Sequence, residues 1–489
     1  MSQGSSISSL SPTAAKPDDA DRHELAEIDR STRLPVLVFF GSAIAWLLVG
    51  SLLALITAIQ INFPSFLDCF GITNFGRLRP ASVNAIVYGW ASAAGIGVGI
   101  WLMARLCRVV LQYQTMLVVA ALFWNLGNFI GLFSILGGYS TSIELLEYPS
   151  FASIFLFIAY AFIAIWGIVL FRFRKRGQVY VSQWYLVGAF LWFPWLYATA
   201  NMLLVWHPIQ GSAQGPVNFW YVQNLVGLWF VPLGLASIYY MIPKIIGHAI
   251  RSYQLSILAF WSLALLYNWS GMRYLIGGPI PAWMTSVSVV ASILLFIPVI
   301  LVGINHHGTM SGHYSALQWS PTLRFTVFGA AAFTLLGLQT GVMALPGFNQ
   351  VIQFTDWNTG HFYLGIYAFF TMTIFGAMYY IIPRLTGWEW PCSSLIRWHF
   401  WLTAIGITMV VLCLSFGGLI QGFALGDDKV NFVTSIKLVS PFRLTAAFCG
   451  IFIVFAHLLF AANFVLMLLK LGTQRDETMA ELPKGAIRL

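Results

Sequence analysis

The stretch FTDWNTGH (residues 354–361) opens an apolar run that ends in GAMYYIIPRLTG (residues 376–387). Between residues 358 and 383 the run contains no Asp, Glu, Lys or Arg. A helix needs about 20 predominantly apolar residues to cross the hydrocarbon core of a bilayer. The run therefore predicts a membrane-spanning helix that carries one histidine, His361, near its first end.

Eleven further runs meet the same criterion, so the chain contains twelve candidate spans. Their approximate limits are 35–60, 83–107, 113–137, 150–172, 183–205, 217–242, 253–273, 281–306, 322–345, 358–383, 396–422 and 440–470. This pattern predicts an all-α integral membrane protein, a twelve-helix bundle formed by one domain over residues 34–472. Residues 1–33 are polar and predict a disordered cytoplasmic leader, and residues 473–489 predict a cytoplasmic tail.

The composition excludes a soluble globular protein, because 59% of the residues are hydrophobic and only 8% are charged. Aromatic residues reach 16%, and the 20 tryptophans suit the interfacial belts of a membrane protein. The net charge of +9 comes mostly from Lys and Arg beside the spans, so it indicates contact with membrane lipids and not with nucleic acid. The five cysteines form no CxxCH motif and no paired metal-binding spacing.

The basic residues also predict the orientation. With the N-terminus inside, nineteen of the 25 Lys and Arg residues fall in inner segments and five in outer segments, and Arg273 stands at an outer helix end. Cytoplasmic segments carry an excess of Lys and Arg. The sequence therefore predicts that both termini are cytoplasmic.

Several segments carry a resemblance to a known family. They are FGRLRP (75–80), WYVQNLVG (220–227), IYYMIPK (238–244), SYQLS (252–256), LYNWSG (266–271), FTDWNTGH (354–361) and GAMYYIIPRLTG (376–387). Over about residues 75 to 390 the chain resembles subunit I of the C-family (cbb3-type) haem–copper oxidases. The resemblance implies the oxidase bundle and a place in the inner membrane of a bacterium. It also implies a respiratory complex with other subunits, among them c-type cytochromes docked on the outer face.

The resemblance implies that low-spin haem b is absent. The family holds this haem with two histidines, one in RLRPxHxNA and one in GHxHxG. The corresponding segments here read RLRPASVNA and GHFYLG, so Ser82 and Tyr363 stand at the two ligand positions. Serine and neutral tyrosine are poor substitutes for imidazole on haem iron.

The resemblance also implies that copper is absent. The three copper-ligating histidines of the family correspond to Gln223, Arg273 and Tyr274. A guanidinium stays protonated and has no lone pair to donate. Tyr267 stands where the family has a tyrosine crosslinked to a copper ligand, and the crosslink cannot form with Gln223. The acidic residue of the family's FEGP segment corresponds to Gln339, so the catalytic positions are degenerate.

His361 keeps the position of the family's axial ligand to the high-spin haem. Two interpretations stay open: His361 ligates one haem b, or it is an inherited histidine hydrogen-bonded inside the bundle. Arg77 and Arg79, expected in an outer loop, resemble the family's haem-propionate partners, or else they contact lipid headgroups or another subunit. Arg273 either places a fixed charge where the family has copper or extends to the outer surface from a helix end.

Three functions follow from the resemblance and its departures. The first is a cbb3-type cytochrome c oxidase subunit I-like subunit of a respiratory electron-transfer complex, structural or altered in activity. The second is an active terminal oxidase or related oxidoreductase that uses a single haem at His361. The third is a transporter that reuses the oxidase bundle, which the scarcity of acidic residues inside the spans disfavours. Whether the chain is an enzyme stays open at this point.

Overall fold

A computed structural model describes residues 19–68, 70–175 and 177–474 of the chain. Over these residues the fold is helical, and its β-structure is limited to one isolated antiparallel bridge between Trp388 and Gln474. Residues 1–18 of the predicted leader and residues 475–489 of the predicted tail lie outside the described residues, as do Cys69 and Arg176. The all-α bundle predicted from the sequence is confirmed.

Twelve main helices, numbered α1–α12 in chain order, form the bundle over the described residues. They are α1 (Asp19–Asn62), α2 (Phe75–Cys107), α3 (Gln114–Gly137), α4 (Ser150–Arg172), α5 (Val181–Trp206), α6 (Gly211–Ile246), α7 (Tyr253–Tyr267), α8 (Ala282–Met310), α9 (Pro321–Met343), α10 (Asp356–Thr386), α11 (Ser393–Leu425) and α12 (Phe432–Leu468). The α1–α2 and α11–α12 pairs are the most extensive, and α1 also packs against α12.

Eleven of these helices are long and apolar enough to cross a membrane, and α7 is the exception. It has 15 residues, which corresponds to about 22 Å of rise and is shorter than a hydrocarbon core of about 30 Å. A 3₁₀ segment, Ser270–Leu275, follows it. The predicted span 253–273 is therefore a short helix followed by a tight turn, and this turn positions Arg273 and Tyr274.

The leader predicted to be disordered over residues 1–33 is corrected for residues 19–33, which form the first turns of α1. Ile28 and Thr32 are fully buried. Asp29 forms a buried ion pair with Arg105 of α2, at 3.1 Å between Oδ2 and Nη1. The polar residues of this segment hold it against α2, which a reading of hydropathy alone does not detect.

The FGRLRP segment was expected in an outer loop and is instead the first turn and a half of α2. Asn74 caps this helix, because its side-chain oxygen accepts a hydrogen bond from the Gly76 amide at 2.8 Å. Pro80 is the sixth residue of this helix, so the Gly76 carbonyl lacks the amide donor that a regular helical turn would supply. Arg77 and Arg79 are consequently fixed on a helix.

Three helices change to π-helical geometry within three residues after a position where the family has a haem or copper ligand. The π-helical segments are Ala85–Ser92 in α2, Leu225–Phe230 in α6 and Leu364–Thr371 in α10. Such wide turns are rare and frequently lie at functional sites. They begin within three residues after Ser82, Gln223 and Tyr363, so the backbone departs from regular α-helix near these three ligand positions.

Candidate functional site

Two adjoining cavities lie at the end of the bundle where α2, α6, α10 and α12 begin and α7 ends. We call this end the site end. The first cavity has a volume of about 480 Å³, and the second has a volume of about 330 Å³. Both volumes are in the range of small-molecule or cofactor sites.

The two cavities share part of their walls, which we call the shared rim. Its residues are Arg79, Glu144, Asp356, Asn358, Thr359, Phe362 and Arg443. The rim is charged, whereas the deeper part of the second cavity is lined by aliphatic side chains such as Val410 and Ile453. A ligand with a polar end and an apolar body would match this division.

The first cavity brings together four positions predicted from the sequence: Gln223, Tyr267, Tyr274 and His361. Helices α6, α7 and α10 and the 3₁₀ turn therefore meet at this cavity. Gly227 makes the arrangement possible, since a Cβ there would lie 2.2 Å from Tyr267 Cδ1. A larger residue at 227 would push the tyrosine ring out of the cavity wall.

Arg273 lies behind this wall and is 1% exposed, so the interpretation in which it extends to the outer surface is wrong. Its Nη2 donates to the Tyr274 hydroxyl at 2.7 Å, and its Nη1 donates to Ser292 Oγ at 3.3 Å. Its backbone amide donates to Ser288 Oγ at 2.8 Å. Among the described residues, no carboxylate lies within ion-pair distance of the guanidinium.

The residues at the copper position do not fit a copper ion. A guanidinium offers no lone pair, and an amide and a phenol are weak donors for copper compared with imidazole. A buried positive charge beside them would also repel a metal cation. Across the described residues, no cluster of three or more His, Cys, Asp or Glu side chains is positioned to hold a metal ion.

His361 has the geometry of a ligand that one haem would require. Its Nδ1 donates to Gln339 Oε1 at 2.8 Å, which places the ring proton on Nδ1 and leaves the Nε2 lone pair free. Nε2 lies 3.4 Å from the Thr340 hydroxyl, whose own proton goes to the Leu336 carbonyl at 2.9 Å. The hydrogen bond from Nδ1 to a fixed acceptor is the usual outer support of a metal-ligating histidine.

Ser82 and Tyr363 both line the second cavity, so the two positions of the low-spin haem ligands face one space. The Ser82 hydroxyl donates to the Arg79 carbonyl of its own helix at 2.8 Å. Neither side chain fits an axial ligand of a low-spin haem. Protein side chains do not fill the space between them. Small residues keep it open, among them Ser51, Ala54, Ala58, Ala446, Ala447 and Gly450.

The two arginines of FGRLRP have different positions. Arg79 is exposed and lines both cavities, and it has no hydrogen-bond or ion-pair partner among the described residues. Arg77 lines neither cavity, and its Nη1 donates to the Leu136 carbonyl at 3.1 Å. Of these two arginines, Arg79 is therefore the one placed to bind an anionic group at the shared rim.

The sequence reasoning missed the ion pair and the acidic loop at the rim. Asp356 accepts two hydrogen bonds from Arg443 of α12. Glu147, in the loop between α3 and α4, accepts a hydrogen bond from Asn84 Nδ2 at 2.8 Å, and burial raises its pKa to about 7. Burial also raises the pKa of Glu144, against the nearby charge of Arg79. In the sequence, the acidic loop is visible only as two glutamates, Glu144 and Glu147, in the short segment between two predicted spans.

The remaining histidines do not join the cavities. His306 is 4% exposed and packs against the Tyr239 ring at 4.3 Å between centroids. His399 and His457 are fully buried, and their ring centroids lie 6.5 Å apart. None of these three histidines lines either cavity.

The sequence matches a known protein family. The family profile described as "Cytochrome C and Quinol oxidase polypeptide I" matches residues 35–452. The chain is 29% identical over 412 residues to the "Cbb3-type cytochrome c oxidase subunit CcoN1" of Stutzerimonas stutzeri, covering 81% of this chain and 87% of that protein. It is 28% identical over 464 residues to the "Cytochrome c oxidase subunit 1 homolog" of Agrobacterium tumefaciens strain T37, covering 89% and 83%.

The fold is also similar to a solved structure, described as a cryo-EM structure of a heme-copper terminal oxidase dimer. The TM-score is 0.71 at 12% sequence identity, and the match covers 94% of this chain and 86% of the other. At this identity the likeness concerns the fold alone.

Proposed function

The chain belongs to the cytochrome c and quinol oxidase polypeptide I family, and from that premise we propose that it is a cbb3-type subunit I-like membrane subunit that does not reduce oxygen at a haem–copper centre. It is a multi-pass membrane protein. The proposal places it in the inner membrane of a bacterium with both termini cytoplasmic. It would act as a structural or functionally altered subunit of a respiratory complex that contains c-type cytochromes.

The burial of Arg273 is the observation that carries this proposal. Reduction of oxygen at a haem–copper centre requires a second redox metal beside the haem. Here the corresponding wall holds a guanidinium that is 1% exposed and bonded to Tyr274. Burying a charge costs several kcal/mol, so the buried position of Arg273 must be stabilised by the surrounding structure. Its positive charge would repel a metal cation at this wall.

The test is the metal content and oxygen chemistry of the purified protein. We expect no stoichiometric copper by elemental analysis and no oxygen consumption with a reduced c-type cytochrome as electron donor. We also expect no bis-histidine haem in the optical spectrum. About one copper per chain, or oxygen uptake that cyanide inhibits, would show that the proposal is wrong.

His361 favours a second candidate, an oxidoreductase subunit that holds one haem. The free Nε2 lone pair faces a cavity of about 480 Å³, and Gln339 fixes the ring. Arg79 at the shared rim carries a positive charge that could bind the carboxylates of a haem. A haem held by one histidine would supply a redox-active iron with an open coordination position. In both candidates the chain lacks the copper ligands and the low-spin haem ligands.

The two candidates differ in one measurement. A purified sample with one five-coordinate haem that disappears on His361→Ala supports the second candidate. A sample without haem that is otherwise intact and associated with partner subunits supports a purely structural subunit. His313→Ala is the matched control, because His313 lies in a loop away from both cavities.

A further inference from the structure

Three polar side chains of the first cavity have hydrogen-bonding capacity that the protein does not use. Among the described residues, neither the Gln223 amide nor the Tyr267 hydroxyl has a hydrogen-bond partner, although they are 6% and 3% exposed. The Tyr274 hydroxyl accepts from Arg273 Nη2 at 2.7 Å, but its own proton has no acceptor among the same residues. Buried polar groups in proteins are almost always paired.

The charge behind these groups is also uncompensated. Arg273 is 1% exposed, its Nε has no hydrogen-bond partner, and the described residues place no carboxylate near it. Its two guanidinium contacts are with neutral hydroxyls, those of Tyr274 and Ser292. A buried charge in a protein is normally paired with an opposite charge, because moving an unpaired charge from water to an apolar environment is costly.

The wall is rigid enough to form a binding site. Phe219 stacks on the Tyr274 ring with centroids 5.4 Å apart and an interplanar angle of 24°. Gln353 Nε2 donates to the Tyr274 carbonyl at 3.1 Å. The guanidinium lies 4.5 Å above the same ring. The orientation of Tyr274, and with it the direction of its unused proton, is therefore set before any ligand binds.

From these contacts we infer that the first cavity binds an oxygen-bearing anion, a carboxylate or a nitrogen oxyanion such as nitrite. The anion would accept hydrogen bonds from the Tyr274 and Tyr267 hydroxyls and from the Gln223 amide, and it would neutralise Arg273. The guanidinium would repel a cation, and a neutral ligand would leave the charge of Arg273 uncompensated. Arg79 on the shared rim would attract an anion toward the cavity.

This inference rests on the proposed function in one respect, namely that no metal cation occupies the same wall. Copper content must therefore be measured on the sample used for binding. Stoichiometric copper would contradict the proposed function. A sample free of copper that also binds no anion would contradict only the inference.

The experiment is a titration of the purified protein with sodium formate and, separately, sodium nitrite. Thermal unfolding in detergent is followed at constant ionic strength set with the bulky HEPES anion. A ligand that binds only the folded state raises the unfolding midpoint. We expect a saturable rise for the wild type, and apparent affinities reduced at least about tenfold in Arg273→Gln and in Tyr274→Phe, because each loses a charged or charge-supported hydrogen bond.

Arg251→Gln is the matched control, since Arg251 is an exposed arginine that lines neither cavity. It should bind both anions as the wild type does. Sodium benzoate forms a further arm: stronger binding of benzoate than of formate indicates an organic carboxylate as the natural ligand, and the reverse indicates a small free anion. Absence of any midpoint shift in the wild type would overturn the inference, as would an unchanged affinity in Arg273→Gln. If Arg273→Gln does not fold, Tyr274→Phe, which keeps the guanidinium, replaces it in the test. An unchanged affinity in Tyr274→Phe would then overturn the inference.

Discussion

Asp356 and Arg443 form a bidentate ion pair, with Arg443 Nε at 2.6 Å from Asp356 Oδ2 and Arg443 Nη2 at 3.0 Å from Oδ1. The two residues stand near the beginnings of α10 and α12 and belong to the walls of both cavities. The Asp356 backbone amide also donates to Gln421 Oε1 of α11 at 3.0 Å. Three helices are thus joined at the shared rim, five residues before His361.

Replacement of Asp356 by Asn should destabilise the bundle, because it leaves Arg443 without its charged partner. Both side chains are partly buried, at 18% and 17% exposure. We expect a loss of about 2 kcal/mol, between the values for exposed and fully buried pairs. Thermal unfolding in detergent measures the change.

The exposed pair between Arg108 and Asp21 provides the control, because its side chains are 43% and 30% exposed. Asp21→Asn should change the stability by about 0.5 kcal/mol or less. Equal effects of the two substitutions would show that the Asp356–Arg443 pair is no more than a surface contact.

The open second cavity should accept a haem once ligands are supplied. The double variant Ser82→His, Tyr363→His places an imidazole on each of two residues that line the cavity of about 330 Å³. We expect a six-coordinate haem with a bis-histidine optical spectrum when the variant is produced with haem available. Each single variant should lack this spectrum. A double variant that folds but shows no such spectrum would mean that the cavity has lost the shape of the haem site.

Gln339→Leu tests whether His361 ligates a haem. The substitution removes the acceptor that lies 2.8 Å from His361 Nδ1, so the ring loses its fixed tautomer. If one haem is bound, its affinity should fall about tenfold or more, as observed for outer-shell partners of metal ligands, and its spectrum should shift. Haem titration of the apoprotein measures both. An unchanged affinity would show that the hydrogen bond serves only the packing of α9 against α10.

Glu147 should make the stability depend on pH. Burial raises its pKa to about 7, above the value of about 4.3 expected for an unfolded chain. The folded state therefore holds the proton more tightly, and stability falls as the pH rises from about 4.3 through about 7, then levels off. We expect a loss on the order of 3 kcal/mol over this range, because each unit of pKa difference corresponds to about 1.4 kcal/mol.

The loss should be absent in Glu147→Gln, which stays neutral and keeps the acceptor for Asn84. Asp428→Asn, a change at an exposed turn, should leave the pH profile as in the wild type. Thermal unfolding measured between pH 5 and pH 8 compares the three proteins. A wild-type profile parallel to that of Glu147→Gln would contradict the prediction.

If the chain is a structural subunit without redox centres of its own, as we propose, the electrons must be carried by other subunits. We therefore expect the protein to be purified with redox subunits, including c-type cytochromes bound at the site end. Gentle detergent extraction followed by mass spectrometry identifies them. Recovery of the chain alone would remove the main support for its role as a subunit of such a complex.

Much of the bundle could be predicted from the sequence, because apolar runs of bilayer length have one stable solution, a helix that satisfies its own backbone hydrogen bonds. The positions of Ser82, Gln223, Arg273 and Tyr363 were also readable, because the motifs around them are intact. The helical start of α1 was not, since its stability comes from a buried ion pair between Asp29 and Arg105 that joins residues far apart in the chain.

The sequence alone left Arg273 between two positions, at the surface or inside the bundle. Only the tertiary structure decided it, because burial depends on the tight turn after α7 and on the serines of α8 that receive the guanidinium and the amide. The same holds for the ion pair between Asp356 and Arg443 and for the cavity that remains where a haem would lie. Periodicity and motifs report which residues share a helix, whereas the distances between helices depend on how small and large side chains pack across them.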